Sequence, residues 1–415
     1  MRGRSPVWAI PLVTTAALLI ARAVAAPAIT DPTGAPLPEG LKLSTPWIHL
    51  VLAPLFTLWD GTSMLPMSRL KGLVTGLLLL YVLWRAIRFW SHRRLLREIG
   101  YAALALIGFL LFVLVGATWH RPMVALTSVP EDAAVADFHS HTNASHDVEG
   151  LMDGWDLGAS RRWHRRAGFD AFFLTDHNTQ SPAIGLAGEG VPYACEGIEI
   201  SAWRAHMVLL GRVDSIDRRP YTTSLEGVLQ LIEDASTQFD AISIASIPEY
   251  ERYHWKNLEL FVATGLDGFE IVNASPKANE LSRVRRDSVI ALARRTDRIV
   301  VGVSDQHGWG ATSMVWNLVP LEDWRRRNQD PCPRILARLK TAGFDAVQVV
   351  ERHRLRAEAW WPEWLTPVGL VWETWRGMGW PLTLGWLAWI WGWAIIVPLR
   401  RRNAGLASTR SGGPR

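Results

Sequence analysis

Histidine and carboxylate side chains are concentrated in one short stretch of the chain. The segment Val135–Asp147, VADFHSHTNASHD, holds three of the 12 histidines found in 415 residues, together with two aspartates. His139 and His141 are separated by one residue, so on an extended segment both imidazoles point to the same face. Two imidazole nitrogens on one face are the beginning of a metal chelate. The spacing therefore predicts a metal site.

Further donor residues stand at the ends of later apolar runs: Asp176 and His177, Glu199 and His206, and Asp305 and His307. A set of nitrogen and oxygen donors without thiolates suits zinc, manganese or iron. The alternative is a polar, hydrogen-bonded cluster that holds no metal.

Residues 130–356 have the mixed composition of a globular domain and must position these side chains. The runs AVADFHS, DAFFLTD, PYACEGIEIS, HMVLLGR, AISIASI, GFEIVN and IVVGVSD read as strands, with helical patterns such as SLEGVLQLIEDAS between several of them. The alternation predicts an α/β fold with a largely parallel sheet. Seven strands favour a barrel, in which reactive residues gather at the carboxyl ends of the strands. The run RRWHRR, which includes His164, is expected to be a solvated helix face.

The N-terminal region, residues 1–120, is predicted to be a membrane region with three long apolar segments at about 7–24, 72–89 and 99–119. The first is either a membrane anchor or a cleaved signal peptide. Residues 46–59 are shorter and contain a proline, so this segment is expected to be interfacial. Residues 379–399 form a further uncharged stretch, long enough to cross a hydrocarbon core of about 30 Å.

Arginines cluster before the first apolar segment, within residues 85–97 and in residues 400–402. With four spans, all three clusters lie on the cytoplasmic side, as the positive-inside rule requires. This arrangement predicts an integral protein of a bacterial inner membrane, with residues 130–356 on the extracytoplasmic side and a disordered basic tail at 400–415. The net charge of +5 is compatible with nucleic acid, but arginines beside apolar segments favour the membrane interpretation.

The chain has two cysteines, Cys195 and Cys332. They could pair in an oxidising compartment, and their spacing does not decide whether they do. Cys195 stands four residues before Glu199, which allows either a thiolate ligand or a small packing residue at this position.

The motifs resemble those of the PHP (polymerase and histidinol phosphatase) superfamily. ADFHSHTNASHD, FFLTDHNT, GIEIS, GFEIVN and GVSDQHG occur in the family's order between about Val135 and Gly308, a little over two-fifths of the chain. The resemblance implies a distorted (β/α)7 barrel, here inserted between transmembrane helices, whose rim binds up to three divalent metal ions. It also implies a metal-dependent phosphoesterase.

Carried over by motif, the resemblance implies one ion bound by His139, His141, Glu199 and Asp305. It implies a second ion bound by His177 and His307, with His146 or Asp147 completing the set, and a third held by Glu199 and His206. The chain departs from the family at Ile247, which precedes Pro248 where the family has a histidine. We therefore expect two or three divalent ions, with the third weakened.

For a phosphate ester, bound metal ions lower the pKa of a water molecule and neutralise the phosphoryl oxygens. Asp176, or His146 with Asp147, would handle the proton, while Arg204 is either a phosphate ligand or a solvated loop residue. The expected substrate is a small phosphorylated or lipid-linked molecule. The alternatives are a metal-binding or ligand-sensing domain without catalysis, and another metallohydrolase chemistry such as amide hydrolysis.

Overall fold

The computed structural model describes residues 8–88, 95–180, 190–213, 216–327 and 329–410. The helices are α1 Ala9–Ala23, α2 Trp47–Val51, α3 Ala53–Ser63, α4 Met67–Arg88, α5 Leu95–Thr118, α6 Leu157–Ala167, α7 Leu225–Thr237, α8 Glu249–Tyr253, α9 Leu258–Thr264, α10 Arg283–Arg295, α11 Trp324–Arg327, α12 Cys332–Ala342, α13 Thr366–Gly377 and α14 Trp380–Arg410. The strands are β1 Ile29–Thr30, β2 Lys42–Ser44, β3 Ala125–Thr127, β4 Ala133–Ser140, β5 Ala171–Leu174, β6 Tyr193–Ala202, β7 Ala205–Leu210, β8 Ile242–Ala245, β9 Gly268–Asn273, β10 Ile299–Val303, β11 Val315–Pro320 and β12 Gln348–Arg352.

One mixed sheet of ten strands organises the molecule, in the order β1-β12-β11-β4-β5-β6-β7-β8-β9-β10. Pairing is parallel along β4-β5-β6 and along β8-β9-β10. It is antiparallel at both sides of β7 and throughout β1, β12, β11 and β4. A small second sheet pairs β2 with β3.

The expectation of a (β/α)7 barrel is therefore wrong, although the fold is α/β. The runs PYACEGIEIS and HMVLLGR form a hairpin, in which Ala202 pairs with Ala205. Only Trp203 and Arg204 lie between the strands, which is too short for the helical crossover that parallel strands require. The added antiparallel strands β11 and β12 also extend the sheet beyond seven strands, and the sheet curls into a half-barrel.

Side-chain and backbone hydrogen bonds connect the last parallel strand back to β4. The Asn317 amide donates to the carbonyls of Gly302 and Ala136 at 2.6 and 2.9 Å. Beyond β10, the Asp305 N–H donates to the His139 carbonyl at 2.9 Å. The curl of the sheet thus brings the segment after β10 beside the end of β4.

Strands β4, β5, β8, β9 and β10 are buried along their whole length. Their near-continuous apolar sequences suit strands that are covered on both faces. Helices pack over them, and α6, α7 and α10 begin at the side-chain caps Asp156, Ser224 and Ser282.

Within the described residues, two helices are long and apolar enough to cross a membrane, Met67–Ile87 and Leu96–Thr118, and few of their residues are buried. The predicted segments at 7–24 and 379–399 form the shorter apolar helices Ala9–Ala23 and Trp380–Ile396. The backbone of α14 is helical to Arg410. The arginines before the first segment, residues 89–94 and residues 411–415 lie outside the described residues.

Buried charges attach the helices to the sheet. Asp60 on α3 is 1% exposed and forms ion pairs with Arg121 at 2.5 Å and with Arg352, at the end of β12, at 3.2 Å. Burial raises the pKa of the Asp60 carboxyl, but Arg352 and Arg121 outweigh it and hold the pKa below its ordinary value. The ion pairs therefore fix α3 against β12.

Cys195 on β6 and Cys332 at the start of α12 form a disulfide bond. The bond joins positions 137 residues apart, with their Cα atoms separated by 5.5 Å. It fastens α12 to the sheet, and it shows that Cys195 is a packing and cross-linking residue in this structure.

Candidate metal centre

The predicted donor residues lie together at one edge of the sheet. His139 and His141 are at and just beyond the end of β4, and their Nε2 atoms lie 3.0 Å apart. Asp305 and His307 follow β10, where His141 N–H donates to the Gln306 carbonyl at 2.9 Å. The same curl that brings β10 to β4 therefore assembles these side chains.

The first donor group consists of His139, His141 and Glu199. Glu199 Oε2 lies 3.0 Å from His139 Nε2 and 3.4 Å from His141 Nε2. Asp305 Oδ1 approaches the same two nitrogens at 3.5 and 3.3 Å. All four side chains are largely buried, with Asp305 the most exposed at 13%.

The second donor group consists of His141, Asp147, His177 and His307. Asp147 Oδ2 lies 2.8 Å from His307 Nε2 and 3.4 Å from His177 Nε2. Ser145 donates its hydroxyl hydrogen bond to the other Asp147 oxygen at 2.7 Å, which fixes the carboxylate. Of the two residues that the resemblance offered here, Asp147 lies among the donor atoms.

The third donor group consists of His177, Glu199 and His206. Glu199 Oε1 lies 3.1 Å from His206 Nδ1, and Glu199 Oε2 lies 3.2 Å from His177 Nδ1. Glu249 Oε2 is farther away, 3.9 Å from His206 Nδ1. Ile247 is 3% exposed and belongs to the hydrophobic core, so its side chain supplies no donor to this group.

Each pair of donor groups shares one residue. His141 belongs to the first and second groups, Glu199 to the first and third, and His177 to the second and third. Within each group, one donor atom from every residue lies within 4.8 Å of the others. Buried clusters of this composition could hold a metal ion.

The hydrogen-bonding state of the imidazoles fits a cation. His139 Nδ1 is engaged by Glu270, so its Nε2 faces the His141 nitrogen and the Glu199 carboxylate. The buried Nδ1 atom of His141 has no hydrogen-bond partner within the described part of the chain, and that of His177 lies 3.2 Å from Glu199 Oε2 without the geometry of a hydrogen bond. The Nε2 atoms of His139 and His141, 3.0 Å apart, need a proton or a metal ion between them.

The electrostatic environment divides the histidines into two types. Burial lowers the pKa of His307, but Asp305 and Asp147 outweigh it and raise the pKa to about 9. Burial also lowers the pKa of His206, which Glu199 raises to about 9. By contrast, burial and the charge on His307 lower the pKa of His141 to about 3. The shared residue His141 is therefore a neutral imidazole, which is the form that binds metals.

Glu270 is a residue of the site that the sequence interpretation missed. It is fully buried on β9, and its Oε1 lies 2.6 Å from His139 Nδ1. Its Oε2 accepts hydrogen bonds from Ile247 N–H and Asn273 Nδ2, both at 3.0 Å. An acidic residue inside the apolar run GFEIVN was the signal that could have found it.

Three residues expected to have catalytic roles occupy different environments. Both oxygens of the buried Asp176 accept hydrogen bonds from Thr142, at 2.5 and 2.7 Å, so Asp176 positions the loop after β4. His146 is exposed, with its ring 5.0 Å from that of His177. Arg204 is exposed in the β6–β7 turn and lies over the rings of Trp203 and Tyr253.

His164 is buried, and its expected position on a solvated helix face is wrong. Its Nε2 lies 3.0 Å from Asp137 Oδ2 on β4, and its Nδ1 lies 2.8 Å from the Ser160 carbonyl. Ser304 also hydrogen-bonds to the Asp137 carboxylate. The hydrogen-bonded pair of His164 and Asp137 therefore stabilises the part of β4 that precedes the donor residues.

The site is open on one side. Asp147 is 35% exposed and His206 is 32% exposed, whereas His139, His141 and Glu199 are at most 3% exposed. The ring of Trp309 stacks on that of His307 at a centroid distance of 5.4 Å and is itself partly exposed. A water molecule or ligand can therefore approach the donors at the rim formed by these residues.

Comparisons with known proteins do not assign a family. No family model matches the chain, and no curated protein matches it. Among solved structures, PsfC from Pseudomonas syringae PB-5123 is similar over 58% of this chain and 97% of its own, with 13% sequence identity and a TM-score of 0.37. A similarity of this size carries no functional argument.

Proposed function

We propose that the chain is a membrane-anchored, metal-dependent phosphoesterase of the PHP type. The observation that carries the proposal is the linkage of the three donor groups through His141, Glu199 and His177 at an open edge of the sheet. Shared ligands keep neighbouring ions a few ångströms apart, which is the spacing used in hydrolytic sites with more than one metal.

The first and second donor groups would hold two divalent ions, of zinc, manganese or iron. They offer His139, His141, Glu199 and Asp305 on one side and Asp147, His177 and His307 on the other. The third group would bind a further ion more weakly, because His206 is partly exposed and Ile247 supplies no donor. Bound ions would activate a water molecule and neutralise the phosphoryl oxygens.

His146 is our candidate for the residue that gives a proton to the leaving oxygen as the ester bond to phosphorus breaks. It is exposed beside His177 and does not belong to a donor group. Asp147 is a donor in the second group, and the oxygens of Asp176 already accept two hydrogen bonds. Neither of these carboxylates is therefore as available for proton transfer.

A cavity beside the donors favours a lipid-linked substrate. It has a volume of about 130 Å³ and is bounded by Asp305 and Trp309 on the sheet side and by Val113 and Ala117 of α5 on the other. Leu96–Thr118 is the more apolar of the two helices that could cross a membrane. The phosphate would lie at the donors while the adjoining apolar chain contacts α5.

An extracytoplasmic location for residues 130–356 is part of the proposal. Disulfide bonds persist in oxidising compartments, so the bond between Cys195 and Cys332 supports this side of the membrane. The arginine clusters of the sequence support the same orientation through the positive-inside rule.

Turnover by the full chain in detergent tests the function. We expect metal-dependent hydrolysis of phosphate mono- or diesters that His141→Ala and Asp305→Asn abolish. Asp240→Asn is the matched control, because Asp240 is 93% exposed and pairs only with Lys340 among the described residues. His146→Gln should lower kcat about 10²–10⁴-fold without removing metal, as expected for loss of a general acid.

A second candidate function is a metal-binding or ligand-sensing domain without catalysis. It is favoured by Ile247, which takes the place of the family's histidine and packs into the core. Bound metal without turnover of phosphate esters would support this candidate. Turnover of amides alone would instead indicate another metallohydrolase chemistry.

A further inference from the structure

The third donor group has only one residue that it does not share. Glu199 also belongs to the first group and His177 to the second, which leaves His206 to the third group alone. A neutral imidazole carries one lone pair, so His177 binds one ion at a time. Metal sites that act on substrates commonly have about three protein ligands. An ion at the third position therefore requires a further donor whenever His177 binds the second ion.

Glu249 places a carboxylate beside this group. Its Oε2 atom lies 3.9 Å from His206 Nδ1, and Glu199 Oε1 lies 3.1 Å from the same nitrogen. A separation of 3.9 Å is too long for a hydrogen bond. Two atoms that bind one ion at about 2.0–2.2 Å each are, however, about 3–4 Å apart. Both separations therefore suit three donor atoms around one cation.

The backbone after β8 determines where the Glu249 side chain lies. Ser246 N–H donates to the His206 carbonyl at 3.1 Å, so the end of β8 lies directly beside His206. Ile247 and Tyr250 are core residues, exposed by 3% and 1%. Glu249 stands between them in sequence, and its side chain remains 20% exposed near His206. Burial of its two neighbours thus leaves Glu249 at the rim of the site.

The Glu249 carboxylate is available to a cation. Among the described residues its ion-pair partner is His206, and its own backbone N–H donates to it. Glu251 in the same helix, by contrast, already binds Arg285. A carboxylate that is largely buried without a close cation is costly, so a metal ion beside it would be stabilising.

A second observation points to a cation at the same place. The His177 side chain is only 8% exposed, and its Nδ1 atom has no hydrogen-bond partner within the described ranges. This atom faces Glu199 Oε2 at 3.2 Å. Glu199 is thus approached by the imidazoles of His177 and His206 from two sides, with Glu249 beyond His206.

We propose that Glu249 is a ligand of the third metal ion, together with Glu199 and His206. The inference rests on the metal centre of the proposed function and adds a ligand that neither the motifs nor the donor groups include. The third ion would lie at the open rim, because His206 is 32% exposed and Glu249 is 20% exposed. It should therefore exchange with solvent more readily than the ion at His139 and His141, which are at most 2% exposed.

Manganese binding to the zinc-loaded full chain in detergent tests the proposal. Zinc fills the tight positions and the excess is removed by desalting. Bound Mn²⁺ is then measured from the fall in the electron paramagnetic resonance signal of the free ion. We expect wild type to bind one further ion per chain. Glu249→Gln should weaken this binding about 100-fold, at the upper end of the about 10–100-fold effect of losing an outer-shell partner.

Zinc content is measured in the same samples and should not change in Glu249→Gln, because the first and second donor groups do not include Glu249. Glu251→Gln is the matched control. Glu251 lies in the same helix and is also 20% exposed, but it contacts Arg285 instead of a donor histidine. It should bind manganese like wild type.

Glu249→His separates coordination from charge, because it removes the negative charge and keeps an atom that can bind a metal. We expect it to bind manganese more tightly than Glu249→Gln. Equal loss in both variants would overturn the proposal, since it would show that Glu249 acts only through its charge. Wild-type affinity in Glu249→Gln would also overturn it.

The result is independent of turnover. A wild type that holds tight zinc but binds no further manganese would refute the Glu249 ligand and leave the proposed function standing. A wild type that binds the further ion through Glu249 but hydrolyses no phosphate ester would refute the proposed function and leave the ligand standing.

Discussion

The carboxylate of Glu270 holds His139 in place, with 2.6 Å between Glu270 Oε1 and His139 Nδ1. Both side chains are buried, and the two residues lie on separate strands, β9 and β4. Because Nδ1 is occupied, the other ring nitrogen is directed at His141 and Glu199. A carboxylate behind a histidine is the arrangement that orients metal ligands and raises their basicity.

Replacing Glu270 should therefore weaken metal binding without removing a ligand. In Glu270→Gln, an NH₂ group replaces one carboxylate oxygen. This group would face either His139 or the two donors that now bind Oε2, which are Ile247 N–H and Asn273 Nδ2. We expect metal affinity to fall about 10–100-fold, measured by competition with a chelator. Glu259→Gln is the control, since Glu259 is 75% exposed. Unchanged affinity in Glu270→Gln would show that His139 does not act through this carboxylate.

The cavity next to α5 gives a prediction about substrate class. Ala117→Leu should fill part of the space between α5 and Asp305 and lower kcat/KM for a long-chain lipid phosphate more than for a soluble phosphate ester. A change of this size in an apolar pocket is worth about 10–200-fold. Ala103→Leu adds the same side chain to an exposed position of α5 and should change neither value. Equal losses for both substrates would argue against a lipid chain in this cavity.

The disulfide bond should contribute substantially to stability. Cys332→Ser is expected to lower the free energy of unfolding by about 2–5 kcal/mol, because the bond constrains a long loop in the unfolded chain. The measurement is thermal unfolding of wild type and variant with and without dithiothreitol. Reduction should lower the Tm of the wild type towards that of the variant and leave the variant unchanged. A wild-type Tm that does not respond to complete reduction would contradict this prediction.

The cluster of Glu351 with Arg286, Arg354 and Arg356 predicts a stability change in acid. Burial raises the pKa of Glu351, but Arg354, Arg356 and Arg286 outweigh it and hold the pKa at about 2, below its ordinary value of 4.5. A lowered pKa means that the stabilisation is complete above pH 4.5 and is lost as the pH falls towards 2. Glu351→Gln should cost about 3–5 kcal/mol at neutral pH, since it leaves buried arginines unpaired.

Thermal unfolding from pH 7 downwards tests the role of Glu351. The difference in Tm between wild type and Glu351→Gln should be large at neutral pH and should shrink below about pH 4.5. Glu259→Gln should show no such difference, because its side chain is exposed. A difference that stays constant down to pH 3 would mean that the carboxylate charge is not what stabilises the cluster.

The donor residues could be located from the sequence because their signal is local. His139 and His141 share one strand end, where period-two geometry places both on one face. Asp305 and His307 repeat the spacing just after β10, although Asp305 has a positive φ of 47° and is not extended. Which pairs meet depends on the curl of the sheet, and the linkage of the donor groups through His141 and His177 was not visible in the sequence. The position of Ile247 in the core was likewise decided by tertiary packing.

The sheet topology was predicted less well because neighbouring strands were assumed to be joined by helices. The predicted runs PYACEGIEIS and HMVLLGR are separated by four residues, AWRA, which already indicates a hairpin, and Arg204 adopts a positive φ of 51° in that turn. Helical periodicity also did not predict that His164 is buried, because its partner Asp137 lies on a strand distant in sequence. The same is true of Glu270, whose partner His139 lies on β4, and of Arg286, whose partner Glu351 lies on β12.

Metal content is the measurement that tests the central claim most directly. Purified full-length chain, loaded with zinc, manganese or iron and then desalted, is analysed for metal per chain alongside His141→Ala. We predict that wild type holds two ions tightly, with a third one weaker, and that His141→Ala loses metal from both the first and second donor groups because it belongs to both. A folded wild type that retains no metal, or a His141→Ala variant that retains as much as wild type, would contradict the account.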